Sequence, residues 1–294
     1  MPSTPRAVFV TRETDYQLLL AAHATRGQAE FFLRSRGQSL DELERRHRAQ
    51  EAALHAARAA TPAEWRQALV ARADLDRFLF GPEDLVVAVG PDGLVANVAK
   101  YLNGQPVLGV NPLPDLYDGV LVRLRPERLR ELLPAGAAGA APVERRTMVE
   151  ARLDTGERLL ALNEVFLGHR SHQSARYRIA HRGRAEDQSS SGLIVASGTG
   201  ATGWARSIAG APPPLPPEGR ALAFFVREPF PSRATGATLR AGELRPAERL
   251  DVTSRMNDGG VVFADGMEGD FLPFDWGRTA TLGPADRTLT LVTG

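Results

Sequence analysis

The chain reads as an α/β nucleotide-binding domain followed by a β-rich, sandwich-like domain, and three observations predict it. Leu85–Val89 and Pro106–Asn111 are short, apolar, largely β-branched runs, the signature of strands buried on both faces of a parallel sheet. Segments with helical spacing lie before and between them. Beyond Pro126 the pattern changes to short alternating strands separated by Gly, Pro and Asp, which indicates an antiparallel layered structure. The division is expected between residues 1–125 and 126–294.

Ala7–Thr11 opens the first domain as a strand. Tyr16–Arg36 is helical in character, carrying Leu18, Leu19 and Leu20 and later Phe31, Phe32 and Leu33. Ser39-Leu40-Asp41-Glu42 has the spacing of a capping box and starts a second helix through Ala60. Its many arginines read as a solvated face. Thr61-Pro62-Ala63-Glu64 repeats the signal and predicts a third helix through Ala73. After the central strand, Gly90-Pro91-Asp92-Gly93 is dense turn chemistry, and Leu94, Val95, Val98, Ala99 and Leu102 recur at helical spacing. A strand, tight turn and helix present backbone N–H groups where phosphates bind. An aspartate in that turn has two readings: a structural group, or a carboxylate able to take a proton from a hydroxyl or help hold Mg²⁺.

In the second half, Pro134–Pro142 reads as a low-complexity surface segment. Thr147–Asp154 and Arg158–Gly168 flank an Asp-Thr-Gly turn as a hairpin. Arg176–His181, Leu193–Ala196, Ala221–Val226, Leu250–Ser254, Val261–Ala264, Ala280–Leu282 and Leu289–Val292 are further strands. Asn163 and Glu164 interrupt an otherwise apolar run, as a structural hydrogen-bonding pair or a ligand-facing one. Gly198–Gly203 matches the spacing G-x-G-x-x-G, but Trp204–Ala209 runs into the prolines of Pro212–Pro217, too soon for a Rossmann crossover. It reads instead as a glycine-rich loop allowing close approach to a ligand. His169 and His172 have no third ligand at metal-site spacing.

Composition narrows the classes. The 294 residues are 43% hydrophobic and 24% charged, with a net charge of +1, which argues for neither a nucleic-acid nor a membrane partner. The absence of cysteine excludes disulfides and thiolate chemistry. Lys100 is the only lysine among 36 basic residues, so a P-loop with its own lysine is excluded. Phosphate charge must then be met by arginine, backbone N–H groups or Mg²⁺. The start at Met1 runs directly into the first strand, and a cytoplasmic protein is expected.

Together these stretches resemble the NAD kinase family. Its glycine-rich Gly-Gly-Asp-Gly motif stands here as Gly90–Gly93, its Asn-Glu pair as Asn163-Glu164, its second glycine-rich loop as Ser197–Trp204 and its late Asp-Gly pair as Asp265-Gly266. Ser190-Ser191-Gly192, Trp204, Val226–Pro229 and the long helical insertion look most like the mitochondrial branch. The resemblance implies a dinucleotide held between the two domains and phosphoryl transfer from ATP, with Mg²⁺, to the 2′-hydroxyl of the adenosine ribose of NAD. It implies that Asp92 is the catalytic carboxylate and that Gly90 and Gly93 border the phosphates. Asn163 and Glu164 would hold ribose hydroxyls, Thr202, Gly203, Trp204 and Ser207 the adenine end, and Asp265 the nicotinamide side. A homo-oligomer, with a dimer favoured, belongs to the same expectation. Pro91 departs from the family glycine and removes one N–H donor; Leu94 replaces a usual Thr, and Ser191 an Asp common in bacterial relatives. Two alternatives stay open: a kinase of the same superfamily acting on another hydroxyl, and a non-catalytic NAD- or ATP-binding protein with a degenerate phosphate loop.

Overall fold

The computed structural model describes residues 4–210 and 213–294; Met1, Ala211 and Pro212, part of the stretches read above as the chain start and the helix stop, lie outside them. The chain forms two compact units. The first runs to Glu144 and takes back Thr290–Gly294; the second is Arg145–Leu289.

In the first unit, β1 (Arg6–Thr11) is followed by α1 (Asp15–His23), α2 (Arg26–Arg34), α3 (Leu40–Ala59), β2 (Arg66–Ala71), β3 (Asp84–Val89), α4 (Asp92–Ala99), β4 (Pro106–Val110) and α5 (Leu129–Ala137). The strand order is β2-β1-β3-β4, all parallel. β3 is buried along its whole length, as its unbroken apolar run requires of a central parallel strand. Ala7, Phe9, Leu85, Val87 and Leu108 join Ala53, Leu54 and Ala57 of α3 and Leu129, Leu132 and Leu133 of α5 in one core. Because α5 belongs to that core, the division falls after Glu144 and not between residues 125 and 126.

Three helical expectations change. Tyr16–Arg36 is two helices, broken at Ala24, which has φ 58°. The reciprocal capping box belongs to Thr14 and Gln17 of α1. At α3, Ser39 accepts only from the Asp41 N–H, while Glu42 pairs with Arg45 and Arg46. The helix expected through Ala73 is strand β2, which lies beside β1 with Leu69 half exposed. A short apolar run suits either element, and main-chain pairing with β1 decides for the edge strand. Pro134 is no surface linker either. It sits inside α5, whose buried Leu129, Leu132, Leu133 and Gly136 hold the helix to Ala137.

The second unit contains β5 (Val143–Leu153, from Arg145 on), β6 (Arg158–Ala161), β7 (Glu164–His169), β8 (Ala175–His181), β9 (Arg184–Ser190), β10 (Leu193–Ala196), α6 (Trp204–Ala209), β11 (Leu222–Val226), β12 (Ala241–Leu244), β13 (Leu250–Ser254), β14 (Gly260–Ala264), β15 (Phe271–Pro273) and most of β16 (Thr279–Val292). One sheet has β5 beside β6 and β16, with β16-β13-β8-β9 continuing it. The other, β12-β11-β10-β7-β14-β15, is antiparallel throughout. Val149, Ile179, Val252 and Leu282 of the first sheet share a core with Val165, Leu167, Val195, Phe224 and Val262 of the second. This is the sandwich the alternating pattern predicts. The two expected last strands are one, β16, whose Thr290 and Leu291 pair in parallel with Pro106 and Val107 of the first unit. Among the described residues no helix is long and apolar enough to cross a membrane.

Candidate active site

Three parallel strands of the first unit end at one cavity. Arg12 follows β1, Gly90–Gly93 follow β3 and Asn111 follows β4, and all line a space of about 400 Å³. Ligands of open α/β sheets bind at these carboxyl ends. Asp92 is the first residue of α4, with Pro91 as its N-cap at φ −75°, a value proline adopts without strain. The Asp92 carboxylate accepts hydrogen bonds from three successive backbone N–H groups. Oδ1 takes Val120 at 3.1 Å, Leu121 at 2.7 Å and Val122 at 2.9 Å, and Oδ2 takes Val120 at 2.9 Å. Oδ1 is thus saturated, while Oδ2 keeps capacity for a further donor. The donor loop is tight. Gly119 has φ 68°, and a Cβ there would lie 2.4 Å from the Val122 carbonyl oxygen. Asn111 shapes the same loop, donating to the Tyr117 carbonyl at 2.7 Å and accepting from the Leu113 N–H at 2.9 Å.

The insertion helix α3 forms another wall through Leu43, Arg46 and Gln50. The buried Gln50 amide donates to the Arg12 carbonyl at 2.8 Å and to Thr11 Oγ1 at 3.1 Å. His47 meets Thr14 Oγ1 at 3.1 Å and stacks on Tyr16. So α3 is not simply a solvated face. Arg45 and Arg48 make surface pairs with Glu42 and Glu44, but Arg46 lies at the cavity.

The second unit repeats the aspartate arrangement. Asp265, at φ 50°, accepts from Leu162 N–H at 2.8 Å, Asn163 N–H at 2.8 Å and Glu164 N–H at 3.2 Å. From the other side Ser197 N–H donates to the Asn163 carbonyl at 2.9 Å, and Ser197 Oγ to the Leu162 carbonyl. Asn163 and Glu164 therefore do not interrupt a strand. Leu162 and Asn163 form the bend at which the chain leaves β6 of one sheet, and Glu164 opens β7 of the other. Burial first, and the Asp265 charge second, push the Glu164 carboxyl up from 4.5 to about 8. A raised carboxyl binds its proton more tightly in the folded state. Its stabilising contribution is therefore full below about 4.5 and is lost as pH rises toward 8. Urea unfolding of Glu164→Gln should show a flatter pH dependence of stability across that window than the parent chain. Identical profiles would show that Glu164 does not titrate there.

The glycine-rich loop is packed against its own chain. A Cβ on Gly200 would lie 2.2 Å from the Asn163 carbonyl oxygen, and one on Gly198 would lie 2.3 Å from that of Pro216. Close approach is needed here for the fold itself; Gly203 meets nothing nearer than 3.6 Å. β10 is antiparallel to both neighbours, so the loop is no Rossmann turn. Thr202 Oγ1 donates to the Thr199 carbonyl and Ser207 Oγ to the Trp204 carbonyl. Trp204 stacks on Phe166, with ring centroids 5.8 Å apart, and Arg227 lies over it at 5.0 Å. Among the described residues no group of three or more His, Asp and Glu is placed to hold a metal ion by itself.

No family model matches the chain. A protein of Heliobacterium modesticaldum is 34% identical over 197 residues, 63% of this chain and 65% of that protein. One from Acidithiobacillus ferrooxidans is 31% identical over 181 residues, 59% of this chain and 57% of that protein. Both relatives are NAD kinases. The chain spans about half the length of the curated NAD kinases it matches, from 45% to 60% for three of them. The fold extends further. The NAD kinase of Archaeoglobus fulgidus in complex with ATP superposes with a TM-score of 0.59 at 20% identity, covering 98% of this chain and 93% of that one. Yeast NADH kinase complexed with NADH gives 0.62 at 15% identity, covering 100% and 84%. The architecture is that of the NAD kinases.

Gly90, Asp92 and Gly93 thus lie in the first unit, and Asn163, Glu164, Thr202, Gly203, Trp204, Ser207 and Asp265 in the second. The structure joins Asn163, Glu164 and Asp265 through hydrogen bonds and sets Ser197 and Gly200 against them. Arg12, Arg46, Asn111 and Gly119 have no role in the sequence motifs, and Ser197 stands in the Ser197–Trp204 motif without a role of its own. Arg12 and Asn111 had a usable signal, since each immediately follows a parallel strand.

Proposed function

We propose that this chain is an NAD kinase, transferring a phosphoryl group from ATP to the 2′-hydroxyl of the adenosine ribose of NAD to give NADP. The observation that carries the reading is the Asp92 carboxylate. It is oriented by three backbone N–H groups in a cavity also lined by Arg12 and Arg46, with capacity left on Oδ2. In the proposed reaction Asp92 Oδ2 takes the proton from the ribose hydroxyl as its oxygen attacks the terminal phosphorus. Gly90 and Gly93 border the phosphates. Asn163 and Glu164 hold ribose hydroxyls, Thr202, Gly203, Trp204 and Ser207 the adenine end, and Asp265 the nicotinamide side.

Phosphoryl transfer rests on positioning and charge neutralisation rather than covalent chemistry. Mg²⁺ is bound in such sites by one or two carboxylates together with substrate phosphates, and a hard-oxygen donor set of that kind is available. Asp15, which lines the same cavity, would hold it together with the substrate phosphates. When bound, it would neutralise developing charge on the phosphates. The motif variants and the helical insertion support a reading nearest the mitochondrial branch.

The test is incubation with ATP, Mg²⁺ and NAD, scored for NADP. Pro91 favours a second reading, a binder without turnover, because it leaves the phosphate loop one N–H donor short. Dinucleotide binding without NADP formation would select that reading, and loss of both would sink the first.

A further inference from the structure

We propose that Arg46, on the insertion helix, binds the phosphate groups of the nucleoside triphosphate donor together with Arg12. The proposal rests on the kinase reading of the cavity and assigns it a charge source. Three observations converge on Arg46. The phosphate-side turn lacks one N–H at Pro91, the chain has no lysine but Lys100, and Arg12 and Arg46 are the two cations lining the cavity.

Asp15 and Asp92 line the same cavity, and Arg12 pairs with Asp15 at 3.6 Å. A divalent cation held by Asp15 would offset the carboxylate charge, and the two guanidinium groups would meet phosphate oxygens. Arginine suits this role because its planar fork matches phosphate oxygens two at a time. Arg46 uses Nε on Glu42 Oε1, at 2.9 Å, which leaves its terminal nitrogens for another acceptor.

Arg46 is not carried on a loose arm. Gln50, one turn further along α3, is buried and bonded to the Arg12 carbonyl, and His47 is bonded to Thr14. The same hydrogen bonds that seat the helix therefore set Arg46 and Arg12 against one cavity. The Arg46–Glu42 pair is partly solvent-exposed, with 37% of the Arg46 side chain accessible, and pairs of that kind contribute little to folding. Truncating Arg46 should leave the fold intact. Arg45 provides a matched control: it pairs with the same Glu42 but does not line the cavity.

The experiment compares Arg46→Gln and Arg45→Gln in the full chain by two measurements. One is the KM for ATP and for NAD. The other is calorimetric binding of tripolyphosphate in the presence of Mg²⁺. The expected result for Arg46→Gln is a rise of roughly tenfold in the ATP KM, with the NAD KM unchanged, and a similar weakening of tripolyphosphate binding, the size of one charge-assisted hydrogen bond. Arg46→Lys should recover part of it, and Arg45→Gln should match the parent. Unchanged tripolyphosphate binding in Arg46→Gln, or an equal loss in Arg45→Gln, overturns the proposal. If the parent chain makes no NADP yet binds tripolyphosphate in an Arg46-dependent way, the kinase reading fails and the phosphate site stands.

Discussion

Asp92→Asn is expected to lower turnover by roughly 10²-fold or more, the scale of lost general-base assistance. The amide keeps the shape of the side chain. Its remaining oxygen can still take the N–H groups of Val120, Leu121 and Val122, which in the native chain converge on Oδ1. The NH₂ group then falls at the Oδ2 position, turns an acceptor into two donors and faces the Val120 N–H, which is left with its longer bond to Oδ1. The loop should keep its anchoring through Leu121 and Val122 while the proton acceptor disappears. Steady-state assays with ATP, Mg²⁺ and NAD, alongside a dinucleotide-binding measurement, separate the two effects. Turnover within a few-fold of the parent would remove Asp92 from the reaction and leave it as a loop staple.

Asp265→Ala should be the most damaging single change in the second unit. It removes the acceptor for Leu162, Asn163 and Glu164 N–H groups in one step, and each buried donor left unsatisfied costs about 1–3 kcal/mol. It also places a β-carbon residue without a polar side chain at φ 50°, where Asp and Asn are the tolerated residues and others lose about 1–2 kcal/mol. Partial hydration will offset some of this, so a loss of about 3–5 kcal/mol is expected. Asp265→Asn keeps the left-handed preference and one acceptor and should lose about 1–2 kcal/mol. It also removes the charge beside Glu164, so the raised Glu164 carboxyl should move down toward its ordinary value. Urea unfolding reads both variants. A loss below about 1 kcal/mol for Asp265→Ala would show that the cradle is dispensable to the bend.

Both aspartates belong to Asp-Gly pairs, and each gathers three consecutive N–H groups from a loop distant in sequence. Position 92 reaches residues 120–122, and position 265 reaches 162–164. This shared device explains why a short side chain is required twice. A glutamate is one methylene longer and would push a loop whose spacing is set by Gly119 or by Gly200 against Asn163. Residues that looked like independent motifs are mutual supports.

How much was legible depended on the reach of each signal. β3, β4 and β10 were plain because their apolar runs are buried on both faces, and α4 was plain because its spacing follows a turn. The polar strand β9 and the short edge strands β12 and β15 were missed, since an edge strand is stabilised by main-chain pairing more than by its own side chains. β2 was misread for the same reason: six residues carry too little periodicity to separate strand from helix. Arg46 was grouped with its neighbours on α3, because nothing local distinguishes it from Arg45 or Arg48.

The sequence alone determined the two-part architecture, the ordered family motifs and the need to meet phosphate charge without lysine, because these depend on local pattern and composition. Only the tertiary structure decided that Asn163 lies in a bend between sheets with Glu164 opening the next strand, and that Gly198 and Gly200 serve the chain's own packing. It also decided that Asp92 and Asp265 are held by backbone loops and that one arginine of α3 lines the cavity. Those facts are contacts between residues tens of positions apart, set by hydrogen-bond satisfaction and close packing in the folded chain, which no local window of sequence contains.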